Sequence, residues 1–320
     1  MAYIDSSKFM AYIKKNLRII SLSTAFIIIF CFFSFASPYF LSVNNIITIL
    51  NQISAIAIVA LFSTFVIISG GIDISVGSII SFSGIAAASF VLIYPNLVII
   101  GYIIGILVGV IIGIINGSLV TYGKVTPFIG TLATMSIFGG LCYIWTGGYS
   151  IYGVPTSFSM LGRGRLGIIP INVIILIVIT AILYLILENT QIGVYIRSIG
   201  GNRKAAGLVG LNIKRYTIIA YIFSGFGAGL AGVIMASRVC SGVPAMGEPF
   251  LFDIIIAIIL GGTSLSGGIG NIQGTLFGAF ILGILGNGFN LLNVSSYLQL
   301  VIRGFILAAV VILDMHTRKR

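Results

Sequence analysis

Residues 101–117 read GYIIGILVGVIIGIING. Glycine recurs at Gly101, Gly105, Gly109, Gly113 and Gly117, with isoleucine, leucine and valine filling most of the gaps. Residues four apart lie on one face of a helix, and a glycine inside a helix costs about 1 kcal/mol relative to alanine. A water-soluble helix gains nothing from five such costs in register. In lipid the balance differs. Hydrocarbon tails are as apolar as leucine, so helices associate through close backbone packing, which small residues permit. The stripe predicts a membrane helix whose smooth face receives a second helix in a packed bundle.

Composition extends that reading to the whole chain. The 320 residues are 58% hydrophobic and only 7% charged, and the mean hydropathy is +1.19. Soluble domains carry roughly 25% charged residues, so this chain lacks the charges to cover a water-facing surface. It reads as an all-α integral membrane protein with a single transmembrane domain over 19–315, a cytoplasmic N-terminal tail over 1–18 and a basic cytoplasmic tail over 316–320. A net charge of +11 would point to nucleic acid in a soluble protein. Here the positives orient helices, since lysine and arginine concentrate in cytoplasmic loops, and lipid rather than nucleic acid is the expected surrounding. Cys31, Cys142 and Cys240 are too few for a disulfide framework and read as packing residues. Lys14, Lys15 and Arg18 before the apolar run 19–36 imitate a secretory signal, but the run is long for one and no cleavage site follows.

A membrane helix needs about 20 mostly apolar residues. Such runs lie at 19–36, 46–68, 74–94, 98–121, 126–146, 167–187, 216–236, 250–266, 271–291 and 298–314, which predicts about ten transmembrane helices. With the N-terminus cytoplasmic, the groups at 14–18, Lys124, 197–215 and 318–320 all fall inside. Arg163, Arg165 and Arg238 fall outside. Both termini are therefore expected in the cytoplasm.

The longest hydrophilic segment, 188–215, carries Val194, Ile196, Ile199, Ala205, Leu208 and Val209 among basic residues. It predicts one or two short surface helices, either resting on anionic lipid or docking a cytoplasmic partner. The chain also shows weak internal repetition. GGIDISVG at Gly70 and GGTSLSGG at Gly261 share a pattern, and Asn116-Gly117 and Asn287-Gly288 follow in turn. Transporters built from two repeated halves carry interrupted helices at matching places.

Few residues have the chemistry for catalysis. The six acids and one histidine form no nucleophile, zinc or haem constellation, and no metal or resident cofactor is expected. His316 reads as a solvated tail residue. Asp5 and Asp314 sit near the termini, Glu188 opens the hydrophilic segment, and Glu248 lies in an outer loop. Asp73 and Asp253 lie in or beside apolar runs, where acids are expensive and are functional candidates by default. Asp73 is read either as the N-cap of a helix starting near Ile74 or as a substrate or gating residue. Asp253 is expected near another helix start. Arg303 is the basic residue within the apolar runs, so little ion-coupling machinery is visible. YGKV lacks the upstream glycine and the Ser/Thr of a phosphate-binding loop. If the protein pumps, its energy source is another chain, and 188–215 is the expected dock.

Five motifs in order then carry a resemblance. GGIDISVGSI (70–79), VTPFIGTLATMSIFGGL (125–141), GGNRKAAGLVGLN (200–212), IIAIILGGTSLSGGIGNIQGTLFGAFILG (255–283) and NLLNVSSYLQLVIRG (290–304) resemble the permease subunits of bacterial ABC importers for monosaccharides, the ribose type above all. The resemblance implies a separate ATPase carrying ATP and Mg, an extracytoplasmic sugar-binding protein and a second permease subunit, identical or not, in the cell membrane. It implies that Gly200, Gly201, Asn202, Arg203, Ala205 and Ala206 contact the ATPase, with Arg203 and Lys204 replacing the neutral or acidic residues common in the family. It also matches Gly71, Ile72, Asp73, Ile74, Ser75 and Gly77 to the family's G-I-D motif. The family's E-L-D-A-I-A stretch keeps Asp253 but not its Glu-Leu. Asp73, Ser75, Asn116, Thr131, Asp253, Thr263 and Ser264 are the path or gate candidates, against the alternative that the polar ones are hydrogen-bonded between helices. Two rivals stand beside this reading: a self-sufficient carrier or facilitator for a small polar solute, and a membrane enzyme acting on lipid.

Overall fold

The computed structural model describes residues 22–317; the expected tail at 1–18, with Lys14, Lys15 and Arg18, and the basic cluster at 318–320 lie outside the described residues. In chain order the helices are α1 (Leu22–Ala36), α2 (Val43–Ile68), α3 (Val76–Ile93), α4 (Val98–Thr121), α5 (Pro127–Thr146), the short α6 (Met160–Arg163), α7 (Ile171–Asn189), α8 (Gln191–Gly201), α9 (Arg203–Leu208), α10 (Ile213–Val239), α11 (Leu251–Leu260), α12 (Ile272–Leu291) and α13 (Ser296–Thr317). One two-stranded hairpin, β1 (Arg165–Leu166) with β2 (Ile169–Pro170), precedes α7.

Seven helices, α2, α3, α4, α5, α7, α10 and α12, are long and apolar enough to cross a membrane. α1 and α13 carry shorter apolar stretches, over Leu22–Ala36 and Ser296–Ile312. α2, α3 and α10 form the centre, and every residue of α2 from Ile53 to Ile68 is buried. α4, α5 and α7 lie outside them and turn isoleucine, leucine and aromatic side chains outward, as lipid-facing helices do.

The glycine stripe of α4 faces α10 and α3. A Cβ on Gly109 would overlap the Gly225 carbonyl and lie 2.7 Å from the Gly229 Cα. A Cβ on Gly117 would lie 2.9 Å from the Ile218 Cα, and one on Gly113 would overlap the Tyr221 carbonyl. Gly105 meets the Ser83 carbonyl of α3 at 2.8 Å by the same test, and Gly101 meets Val91 and Ala87 of α3. α10 answers with its own glycines, Gly225 and Gly229.

Three expected runs are drawn differently. The run 250–266 is helical only over Leu251–Leu260, because the chain turns at Gly261 and passes through Gly262 at φ 97°. The run 167–187 starts as the hairpin, turning at Gly167 (φ 63°), and is helical from Ile171. The run 74–94 begins its helix at Val76, since residues 71–75 are non-helical.

The two ends of the bundle are distinct. One end gathers the turn at Gly70, the α4–α5 turn, α8, α9 and the turn 261–271. Gly268 N–H donates to the Ile68 carbonyl (2.8 Å), and Lys214 lies 5.0 Å over the Tyr122 ring. The opposite end gathers 147–170 and 240–243, joined by an isolated bridge between Ile151 and Gly242. From there the 240–250 segment re-enters the bundle. A Cβ on Gly77 would lie 3.1 Å from the Gly247 carbonyl, and Gly247 N–H donates to Ser81 Oγ (2.9 Å).

Candidate coupling and translocation site

The site residues expected from the sequence fall into three groups. The first surrounds Asp73, which is 6% exposed. One carboxylate oxygen accepts from Ser75 N–H (3.0 Å) and Ser75 Oγ (2.6 Å), and the other from Ser224 Oγ of α10 (2.8 Å). Of the two readings the sequence leaves open for Asp73, the N-cap of a helix starting near Ile74 is not what forms. The helix starts two residues later with Ser75 in the cap position, and Asp73 holds Ser75 instead. Asn116 donates to Ser75 Oγ (2.7 Å) and accepts from Thr134 Oγ1 (2.7 Å). Thr131 Oγ1 accepts from Ile74 N–H (3.2 Å) and lies 2.9 Å from the Pro127 carbonyl, to which it donates. Ser63 and Ser224 share a hydrogen bond at 3.0 Å. Asp73, Ser75, Asn116 and Thr131 thus meet in one network tying α2, α3, α4, α5 and α10. Buried polar groups at this depth must be satisfied by one another.

The second group is Asp253 with Arg303. Asp253, in the first turn of α11, pairs through Oδ2 with Arg303 Nη1 of α13 (3.2 Å). Its Oδ1 is buried and makes no hydrogen bond. The pair joins Arg303, the basic residue of the apolar runs, to one of their two acids. Sequence reasoning had no means to join two residues fifty positions apart.

The third group lies at the repeated glycine turns. Gly70 has φ 81° and Gly267 φ 83°, a left-handed conformation that glycine adopts without penalty. A Cβ on Gly267 would lie 2.9 Å from the Gly70 Cα and 3.0 Å from the Gly200 Cα. Gly200 of α8 is wedged between them, where a Cβ would overlap the Ile68 carbonyl and lie 2.5 Å from Gly268 N. Thr263 is fully buried and its hydroxyl has no partner. Ser264 Oγ donates to Asp314 Oδ2 (3.1 Å), which also accepts from Leu265 N–H (3.2 Å). Asp314, expected as a residue near the terminus, holds the second turn. The Asn-Gly pairs are not equivalent: Asn116 joins the Asp73 network, while Asn287 pairs reciprocally with Asn45 at 2.9 and 3.0 Å, towards the opposite end.

The motif GGNRKAA acquires a physical account here. Gly200 contacts both turns, whereas a Cβ on Gly201 would meet nothing within 4 Å. Asn202 caps α9 by accepting from Ala205 N–H (3.0 Å), and Ala206 packs inward. Arg203, Lys204 and Ala205 face outward, with Leu208 and Val209 89% and 78% exposed beside them. Ile196 and Ile199 of α8 face the bundle and Val194 does not. Arg197 pairs with Glu188 and donates to the Gly270 carbonyl (3.3 Å), a link absent from the expected residues. Its signal was weak: an acid and a base nine residues apart within the hydrophilic segment. Thr134, Ser63 and Ser224 of the Asp73 network carried no signal, since serine and threonine are common in membrane helices.

A buried polar network beside interrupted helices, with an amphipathic segment seated on both glycine turns, is the build of a transport subunit. The family model for the branched-chain amino acid transport system / permease component matches residues 45–311. The chain belongs to this permease family. It is 45% identical over 285 residues to the Ribose import permease protein RbsC of Bacillus subtilis, covering 88% of each chain. To RbsC of Haemophilus influenzae it is 40% identical over 306 residues, 91% of each chain. To the L-arabinose transport system permease protein AraH of Escherichia coli it is 39% identical, covering 87% of this chain and 86% of that one. No solved structure matches. As a permease of this family, with seven helices long and apolar enough to span, the chain is a multi-pass membrane protein.

Proposed function

We propose that this chain is the membrane permease subunit of an ATP-driven importer for ribose or a related monosaccharide, in the bacterial inner membrane. The observation that carries the reading is the seat of Gly200. One residue of the 188–215 segment touches the Gly70 turn and the 267–268 turn together, so a push on α8 reaches both interrupted segments of the bundle. A lever of this kind is what a permease needs when its energy comes from another chain. In this reading ATP and Mg bind a separate ATPase that docks on Gly201, Asn202, Arg203 and Ala205. A sugar-binding protein delivers solute at the opposite end, and a second permease subunit completes the path. The bundle crosses the membrane about ten times: the seven long helices, α1, α13, and the α11 segment with its turn. Both termini lie in the cytoplasm with α8 and α9.

The test is an affinity pull-down of the tagged chain from gently solubilised membranes, with and without Gly201→Trp. Gly201 is exposed and a Cβ on it points into open space, so a side chain there projects away from the bundle. Recovery of an ATPase with the unmodified chain, lost with G201W while the permease stays monodisperse, supports the reading. An ATPase-free preparation that still moves ribose in liposomes rejects it in favour of a self-sufficient carrier.

A further inference from the structure

A cleft of about 430 Å3 opens between α3, α5 and residues 244–252. Ser78 and Ser81 of α3, Ser136 and Gly139 of α5, and Glu248 and Phe252 line it. Ser136 is midway along the twenty residues of α5, so the cleft reaches the middle of a spanning helix. Glu248 is carried there because Gly77 and Gly247 pack backbone to backbone and Ser81 holds Gly247 N–H. It is therefore not the outer-loop residue that the sequence predicts.

Glu248 has little to occupy it. Its carboxylate is exposed and accepts one long bond, from Tyr143 at 3.4 Å. No cation pairs with it among the described residues. The neighbouring α5 surface is apolar, with Ile137, Ile144 and Trp145 exposed. A carboxylate facing lipid at this depth is costly, and such groups face the bundle interior or a water-filled cavity and mark substrate pathways. The cleft supplies the space. A Cβ on Gly139 or Gly140 would meet nothing within 4 Å, and the volume lies within the roughly 300–1,000 Å3 of small-molecule sites.

The lining fits one chemistry. A carboxylate accepts hydrogen bonds from two hydroxyls at once, serine hydroxyls donate or accept, and Phe252 with Met135 offers apolar surface to a C–H face. That set suits a neutral polyhydroxylated solute and repels a phosphorylated one. The cleft is also wired to the Asp73 network, since Ser78 Oγ donates to the Ser75 carbonyl (2.8 Å). We propose that the transported polyol touches this chain in the cleft between α3 and α5, with Glu248 accepting hydrogen bonds from its hydroxyls. The proposal rests on the permease reading above and places the solute contact away from the buried Asn116 and Thr131.

The test uses the complete complex in liposomes, with D-ribose as probe. Glu248→Gln is expected to raise the KM for ATP-driven uptake at least fivefold while the ATPase is still recovered with the permease. Ser136→Cys is expected to react with a charged, membrane-impermeant thiol reagent, with loss of uptake, under conditions that leave the unmodified chain active. If E248Q does not assemble, S136C decides: blockade supports the site and indifference overturns it. Uptake by assembled E248Q within twofold of the unmodified chain also overturns it. An unmodified complex without ATP-driven uptake overturns the permease reading, and the cleft proposal falls with it.

Discussion

Gly200 and Ile68 meet backbone to backbone: a Cβ on Gly200 would overlap the Ile68 carbonyl oxygen. That carbonyl already accepts from Gly268 N–H at 2.8 Å. One peptide group thus joins α2, the second glycine turn and α8. Gly200→Ala is expected to destabilise the chain by about 1–3 kcal/mol through overpacking, seen as a lower midpoint in a detergent-solubilised thermal melt. Gly201→Ala, one residue on with free space around it, is expected to leave the midpoint unchanged. Equal midpoints for the two variants would falsify the wedge.

The α4–α10 contact makes a parallel prediction. Gly109→Ala must force the helices apart at Gly225 and Gly229, at a cost of about 1–3 kcal/mol. Gly139→Ala on α5 meets nothing, so it should be neutral or stabilise by up to about 1 kcal/mol through helix propensity. Thermal melts of the two purified variants, side by side with the unmodified chain, read the difference directly. A Gly109→Ala chain as stable as Gly139→Ala would show that the stripe is not a packed seam.

Asp253 and Arg303 form an ion pair in which the acid is buried and the base partly exposed. Removing the arginine leaves a buried carboxylate without its cation, which costs more than removing both. Arg303→Met alone is therefore expected to lower the melting midpoint further than the double variant Asp253→Ala, Arg303→Met. A double-mutant cycle with zero coupling would mean that the pair contributes nothing.

Asp73 accepts three hydrogen bonds from Ser75 and Ser224. Ser224→Ala removes one of them and strips Oδ2 of that donor, at about 1–3 kcal/mol. Asp73→Ala strips partners from both serines and is expected to cost more, since each buried polar group left unsatisfied adds roughly 1–3 kcal/mol. The order of the two midpoints is the check. A milder Asp73→Ala would mean that water already enters this network.

Helix positions were legible where hydropathy alone decides them. α4 occupies the expected residues 98–121, and α5 starts at Pro127, one residue inside its expected run. Legibility failed where the backbone leaves the helix at membrane depth. Residues 71–75 and 244–250 are apolar enough to pass for helix or outer loop, and only their contacts with Tyr221, Gly77 and Ser81 place them inside. For the same reason Asp73 and Asp253 stood out as costly acids, while their partners Ser224 and Arg303 were set by tertiary packing. Glu248 was misplaced because a short acidic loop looks identical whether it faces water or folds back into the bundle.

The seam between α4 and α10 has a mechanical consequence. Side chains that interdigitate can switch rotamers and let two helices slide past each other. Gly109 and Gly225, packed carbonyl against Cα, have no rotamers to switch. These two helices form a rigid beam running the depth of the bundle, with α3 fastened along the part of α4 that carries Gly101 and Gly105. Whatever motion carries solute across must bend elsewhere, and the non-helical segments 71–75 and 261–271 lie off this beam.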